Sequence, residues 1–307
     1  MSSFDKLDIK NKKEQKKLNV DFAELKSGGF IKQNKKDLFT VRLRVPGGRM
    51  PIERLNKIIK IAQKYGKANF VHFTTRQSLE IISININDFN KLKSELKKIG
   101  QQTASCGPRV RVATGCGGCE YNARGIIDAQ KLALQSDRKF FGIPTIHGKF
   151  KISFAGCHSD CTRAKGADIG FIGEIEPGWS ERKCIGCGLC AKACLEGAII
   201  SDKKTGKPVY DASKCIFCGD CIKICPTSAM HEKKVGCGLY VGGKWGRHPR
   251  IADLITHLFP AKDIIPVIKK TIDWYIKNGK KRERIGNTID RLGIKKYKNE
   301  INYKRSY

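Results

Sequence analysis

The chain has 307 residues, enough for one large or two modest domains with a substantial core. Its 14 cysteines exceed what an ordinary cytosolic enzyme carries, yet the opening stretch MSSFDKLDIKNKKEQKK has no apolar signal region, which argues against a secreted disulfide framework. The formal net charge is +31, and no apolar run approaches the length of a membrane span. Such a charge first raises nucleic-acid binding. Many of the lysines fall in Lys6–Lys17 and Lys277–Lys304, however, where they read as solvated, and a formal count leaves out bound anions. A basic interior equally suits an enzyme of small oxyanions. Neither nucleic acid nor membrane is therefore the expected partner, and the expected location is the cytoplasm.

In chain order, residues 1–20 read as a basic, mobile tail. Leu38–Val45 alternates like a strand and ends at Pro46-Gly47-Gly48. Pro51–Tyr65 has helical periodicity through Ile52, Leu55, Ile58, Ile59 and Ala62, with Gly66 after it. Asn69–Thr75 and Ser78–Ile86 read as strands. Asn87 would cap a helix carrying Phe89, Leu92, Leu96 and Ile99. Arg109–Thr114 is strand-like. The order β-α-β-β-α-β is that of the ferredoxin-like split fold. Beyond Cys106 the pattern predicts a helix over Glu120–Gln135, a strand over Lys149–Ala155, and helices around Pro249–Leu258 and Ile264–Lys277. The expected fold class is α+β. It divides into a ferredoxin-like half-domain over 21–105, a second domain over 106–180 and 233–307, and an insertion over 181–232.

The cysteines carry the chemistry. Cys184, Cys187, Cys190 and Cys194 form a C-x2-C-x2-C-x3-C run, and Cys215, Cys218, Cys221 and Cys225 repeat it. This is the bacterial ferredoxin spacing, in which three close thiolates take three corners of a [4Fe–4S] cube and the fourth ligates the other cube. One cluster would use Cys184, Cys187, Cys190 and Cys225, the other Cys215, Cys218, Cys221 and Cys194. Pro226 follows the second run as the motif expects, and Leu195 stands in its place after the first. A pair of zinc sites would want looser spacing. Exposed clusters are oxygen-labile, so the protein is expected to work anaerobically. Two further pairs, Cys116 with Cys119 and Cys157 with Cys161, fit a third cube or one zinc. His147, His158 and His248 are candidate ligands in a simpler haem protein, but no C-x-x-C-H attachment motif is present.

Several segments resemble the siroheme-dependent sulfite and nitrite reductases, and most closely their small single-repeat, anaerobic or dissimilatory-type forms with an inserted ferredoxin domain. They are VRLRVPGG (41–48), TTRQSLEI (74–81), the cysteine pair after Arg111, GKFKISFAGC (148–157), the C-x3-C at Cys157 and Cys161, LYVGGKWG (239–246) and ERIGNTIDRLG (283–293). The resemblance implies siroheme and a [4Fe–4S] cluster on Cys116, Cys119, Cys157 and Cys161, with Cys161 also the siroheme-iron ligand. It implies anion-binding roles for Arg42, Arg111, Lys149 and Lys151, and a contact of Arg76 with the siroheme carboxylates. Lys149 and Lys151 alternate across Phe150 and would share a strand face, as Arg42 and Arg44 do. Arg109 competes with Arg111. Gly242, Gly243 and Lys244 could present backbone N–H groups to the siroheme carboxylates, although plain tight turns explain them equally well. One departure is the C-x2-C at Cys116 and Cys119, where the family has C-x5-C. Cys106 and Cys237 read as bystanders.

The activity so implied is six-electron reduction of sulfite to sulfide, fed through the two inserted clusters by a donor such as a small ferredoxin or a flavin subunit. Nitrite reduction to ammonia at the same site is one alternative. A second is an electron-transfer subunit without siroheme, and a third a nucleic-acid-binding iron–sulfur protein. Larger relatives contain the unit twice, so a homodimer or higher even oligomer with shared sites is expected.

Overall fold

The computed structural model describes residues 12–18, 20–35 and 37–301, and its chain separates into two units. The first lies within residues 1–112 and 140–149, the second within 113–139 and 150–307. Much of the tail read over 1–20 lies outside the described residues. Residues 12–18 are helical, though, and Glu14 reaches Lys32 at 3.2 Å, so this part is not a free tail.

The first unit is a four-stranded antiparallel sheet with two long helices. Strands β1 (Phe30–Lys32), β2 (Leu38–Arg42), β3 (Val71–Phe73) and β4 (Leu79–Asn85) lie in the order β1-β2-β4-β3. A short helix α1 (Phe22–Ser27) precedes β1, and α2 (Ile52–Tyr65) and α3 (Phe89–Lys98) follow β2 and β4. Both long helices are amphipathic. Ile58, Ile61 and Ala62 bury one face of α2, and Phe89, Leu92 and Leu96 one face of α3, in a core with Phe30, Phe39, Val41, Ile81 and Ile84. Ile52 and Ile59, read as part of the α2 stripe, are exposed.

Three details differ from the sequence reading. The cap before α3 is Asn85, whose Oδ1 accepts from Asn87 N–H at 3.0 Å and opens a 3₁₀ turn over Ile86–Asp88. β1 joins the sheet beside β2. The sixth strand of the split fold is not Arg109–Thr114. Its place is taken at Thr103, which bridges Leu43, with Arg44 N–H donating to Gln102 O (2.9 Å) and Ala104 N–H to Arg42 O (2.7 Å). The chain therefore returns to the sheet directly after α3, ahead of the alternating Arg109–Thr114 stretch.

The second unit is built on a five-stranded sheet, order β11-β10-β7-β6-β5: β5 (Thr114–Gly115), β6 (Ile152–Ala155), β7 (Ile169–Trp179), β10 (Met230–Val241) and β11 (Asp253–Phe259). β5, β6 and β7 run parallel, and β10 is antiparallel to both β7 and β11. Helices α4 (Ala129–Phe140), α7 (Ile264–Asn278), α8 (Ile285–Leu292) and α9 (Ile294–Glu300) belong to the same region of sequence. α4 starts nine residues later than the Glu120 expected, behind Asp128, whose Oδ1 accepts from Lys131 N–H at 2.9 Å. The strand expected over Lys149–Ala155 is confined to β6, so Lys149 and Lys151 lie ahead of it. The segment around Pro249–Leu258, expected to be helical, forms β11 instead. Ile255, Thr256 and Phe259 are buried there, and pairing with β10 overrides a weak helical period.

The β7–β10 hairpin organises the unit. Trp179 pairs with Met230, and Ser180 N–H donates to Ala229 O at 2.9 Å, so the segment between leaves and re-enters at one point. That segment holds α5 (Leu189–Ala193), the small hairpin β8 (Ile199–Ser201) with β9 (Pro208–Tyr210), and α6 (Asp220–Lys223).

Two ionic contacts fasten α8. Arg284 grips Asp168 with Nε–Oδ1 at 3.0 Å and NH2–Oδ2 at 2.5 Å, and Asp168 is fully buried. Glu283 accepts from Arg291, Lys280 N–H and Thr288 Oγ1, and the Arg291 guanidinium holds its carboxyl at about 2, against an ordinary 4.5. A depressed folded-state value contributes stability above the unfolded value and loses it as pH falls through the folded one. The unfolding free energy is therefore expected to decline from about pH 4.5 towards pH 2, and Glu283→Gln to flatten that decline. Urea titrations at pH 7, 4 and 3 check this; identical slopes for the two proteins would contradict it.

Candidate iron–sulfur and anion site

Two cysteine pairs meet at the ends of neighbouring parallel strands. β5 runs into Cys116 and β6 into Cys157, and the register Gly115↔Phe154 sets the following loops side by side. Gly156 N–H donates to Cys116 Sγ at 3.0 Å and Gly118 N–H to the same sulfur at 3.4 Å. Asp160 sits inside the second pair and shapes its turn, accepting from Ala164 N–H (2.5 Å) and Lys165 N–H (3.2 Å). Cys157 is buried, while Cys119 and Cys161 are exposed.

The segment within the β7–β10 hairpin brings its eight cysteines into two crosswise groups. Cys184, Cys187, Cys190 and Cys225 line one cavity, with Trp179, Pro208 and Met230 among its walls. Cys194 instead lies within electrostatic reach of Cys218 and Cys221, as Cys215 also does. Burial, with these neighbouring thiols adding to it, pushes the Cys221 thiol up to about 12. Backbone N–H groups again point at sulfur: Phe217 at Cys215 (3.3 Å) and Met230 at Cys225 (3.3 Å). Soft thiolates approached by amide donors suit iron–sulfur cubes, whose potentials such hydrogen bonds tune. Among the described residues, no three His, Cys, Asp or Glu side chains converge tightly enough to hold a single metal ion.

The candidate cations have mixed surroundings. Arg42 donates through Nε and NH2 to Glu80 Oε1, both at 2.7 Å, and the buried Glu80 also meets His72 Nδ1 at 2.8 Å. Arg44 donates to Gln102 Oε1 and lies 4.1 Å over the Phe141 ring. Arg76 donates to Val112 O at 2.8 Å. Arg111 donates to Ser105 O (2.7 Å) and Gly107 O (3.0 Å), while its Nε is buried without a hydrogen-bond partner. Cys106 shares this neighbourhood. Burial pushes its thiol up, but the charges of Arg111 and Arg42 outweigh that and hold it below its ordinary value. Arg109 turns elsewhere, donating to Gly142 O at 3.0 Å. Lys149 is exposed and Lys151 half-buried, and the Lys151 N–H donates to Asp168 Oδ2 at 2.8 Å.

The Val241-Gly242-Gly243 turn is not directed at a ligand through Gly242, whose N–H donates to Asp168 O at 2.9 Å. A Cβ on Gly243 would sit 2.5 Å from Lys165 O, so glycine is needed there for close backbone packing. Lys244 bonds Asn287 Oδ1 at 2.8 Å. Cys237 is structural: fully enclosed, with its thiol pushed up by burial, it donates to Phe259 O at 3.5 Å.

Sequence reasoning missed the buried carboxylates. Glu174, at 0% exposure, meets His257 Nδ1 and Leu258 N–H at 2.8 Å each, with His158 Nε2 at 3.8 Å. The His158 Nε2 is buried without a hydrogen-bond partner, and burial lowers its affinity for a proton.

The fold and the paired cysteines define an α+β iron–sulfur reductase unit, and the chain belongs to the nitrite and sulphite reductase family. The model for the nitrite and sulphite reductase 4Fe-4S domain matches residues 106–306, and that for the nitrite/sulfite reductase ferredoxin-like half domain matches 31–99. Membership implies siroheme and an iron–sulfur cluster. The chain is similar to the coenzyme F420-dependent sulfite reductase of Methanocaldococcus jannaschii, at 34% identity over 92% of this chain, though it spans only 45% of that protein. It is 29% identical to one component of the anaerobic sulfite reductase of Salmonella typhimurium, covering 85% of this chain and 82% of that one. The fold is that of dissimilatory sulfite reductase I, with a TM-score of 0.73 at 19% identity over 87% of this chain and 69% of the other. No described helix is long and apolar enough to cross a membrane.

Proposed function

We propose that this chain is a siroheme-[4Fe–4S] sulfite reductase, catalysing HSO3⁻ + 6 e⁻ + 6 H⁺ → HS⁻ + 3 H2O. The observation that carries the reading is the meeting of Cys116 with the Gly156–Cys157 loop, where amide N–H groups already point at sulfur. Cys116, Cys119, Cys157 and Cys161 would hold one cube, with Cys161 shared with the siroheme iron. Siroheme, when bound, supplies the iron at which sulfite is reduced.

The chain's own residues do the rest. Arg111, Lys149 and Lys151 would hold the substrate oxygens as cationic donors, and the ammonium groups would supply protons to departing oxygen. Arg42 would serve more weakly, because Glu80 already answers its charge. The crosswise cysteine groups in the β7–β10 hairpin would hold two further cubes, 181–232 acting as an inserted ferredoxin domain. They would take electrons from a small ferredoxin or a flavin subunit. A homodimer would let one protomer lend cations to the other's site. Nitrite is the second substrate, since the family embraces both anions.

The test is anaerobic oxidation of reduced methyl viologen by sulfite, read beside siroheme content. Turnover with siroheme present supports the reading; a siroheme-free protein with three cubes would be an electron-transfer subunit instead. Cys190→Ala is expected to stop turnover from a protein donor while the free dye still drives it. Equal loss with both reductants would contradict a feed-line role for this cysteine.

A further inference from the structure

Two cubes in the hairpin raise the question of which one delivers electrons. Resting on the function proposed above, we infer that electrons enter at the cube of Cys184, Cys187, Cys190 and Cys225, and leave from the cube of Cys215, Cys218, Cys221 and Cys194 across a Phe217–His257–Glu174 contact.

Strand β7 serves as a ruler. At Gly173 it touches the loop of the siroheme-coupled centre, since a Cβ there would lie 2.2 Å from Gly156 O. Two residues on, Ile175 N–H donates to Phe217 O at 2.8 Å, inside the Cys215–Cys218 loop, and a Cβ on Gly219 would sit 2.4 Å from Ile175 Cγ2. At the strand's far end, Trp179 walls the cavity of the other four cysteines, with its pair Met230. At ~3.3 Å per strand residue, Gly173 lies roughly 7 Å from Ile175 and roughly 20 Å from Trp179. Tunnelling falls off exponentially with distance, so the nearer group is the one that hands over.

The side chains complete the contact. The Phe217 ring packs on His257 with centroids 5.0 Å apart. His257 Nδ1 meets the enclosed Glu174 at 2.8 Å, and the same Oε1 lies 3.8 Å from Nε2 of His158, the residue after Cys157. Phe217 itself donates N–H to Cys215 Sγ. A chain of contacts thus runs from one cysteine loop to the other, through half-buried Phe217 and His257 to the enclosed Glu174. In each transfer the delivering cube is oxidised by one electron and the siroheme-coupled cube reduced by one. The loss is made good from the entry cube and, before it, from a reduced iron–sulfur or flavin protein. His257 and Phe217 are positioning residues; neither touches substrate.

The experiment uses the full-length, cofactor-loaded protein under anaerobic conditions. Iron, sulfide and siroheme analysis comes first: absence of siroheme or of the inserted cubes removes the parent reading, and this inference with it. With cofactors present, electron paramagnetic resonance of the reduced protein should show spin coupling between the siroheme-coupled cube and a neighbour. Cys218→Ala should abolish that coupling and Cys187→Ala preserve it; the reverse pattern overturns the order. His257→Gln keeps a donor for Glu174 but removes the ring, and Phe217→Leu keeps the bulk. Each should slow siroheme reduction by the reduced inserted cubes roughly tenfold in stopped-flow absorbance, with cofactor content unchanged. Phe217→Tyr should restore the rate. Unchanged rates in both His257→Gln and Phe217→Leu overturn the route.

Discussion

Cys161→Ser is expected to abolish sulfite turnover and to remove siroheme from the purified protein. Ligand chemistry sets this outcome. A cysteine thiolate is a soft ligand available near neutral pH, above all beside cationic and amide donors. A serine hydroxyl stays protonated there and binds iron poorly. The Cys157–Cys161 turn is shaped by Asp160, which accepts from Ala164 and Lys165 N–H, so the backbone survives the substitution. The loss should be chemical, with folding intact. Circular dichroism and thermal unfolding should match the parent, while the visible absorbance of siroheme disappears and sulfite-dependent dye oxidation falls to background. Retained turnover with retained siroheme would remove Cys161 from its proposed role.

Arg284→Met is expected to destabilise the second unit by about 3–5 kcal/mol, the cost of stripping one partner from a buried ion pair. Asp168 is fully buried and accepts two Arg284 donors and the Lys151 N–H. Without Arg284 its charge is stranded, and protonation or partial unfolding must relieve it. The double change Asp168→Asn with Arg284→Met should recover part of the loss, because no ion is then left unpaired. Because Asp168 also fixes the backbone at Lys151, sulfite affinity should weaken in the single variant before the protein unfolds. Urea denaturation checks the stability claim, and a change below about 1 kcal/mol would place the pair among weak surface bridges.

Much of the first unit was legible from periodicity. β2, α2, β4 and α3 carry regular apolar spacing that marks them as elements, although the buried face of α2 runs through Ile58, Ile61 and Ala62 and leaves Ile52 and Ile59 exposed. The ferredoxin spacing grouped Cys184, Cys187 and Cys190 with the distant Cys225, and these four line one cavity. The long hairpin strands were not legible. β7 contains Gly170, Gly173, Pro177 and Gly178, residue types depleted in strands, and the need for Gly173 comes from a neighbour distant in sequence, Gly156 O. β10 opens with exposed charged residues beyond its partner's apolar face. β11 looked helical because seven residues hold too little pattern to tell a strand from a helix. The partners of Arg42, Glu174 and Asp168 stand 38, 83 and 116 residues away, and no local pattern announces a contact at that range. For the same reason the sequence marked Gly242 as a candidate anion donor, when its N–H is already committed to Asp168.

The most direct measurement is quantitative pigment and metal analysis of protein purified and kept without oxygen. The expected yield is about one siroheme and about twelve iron atoms per chain, for three cubes of four, plus the siroheme iron. Protein that yields no siroheme, and takes none up on reconstitution, would contradict it.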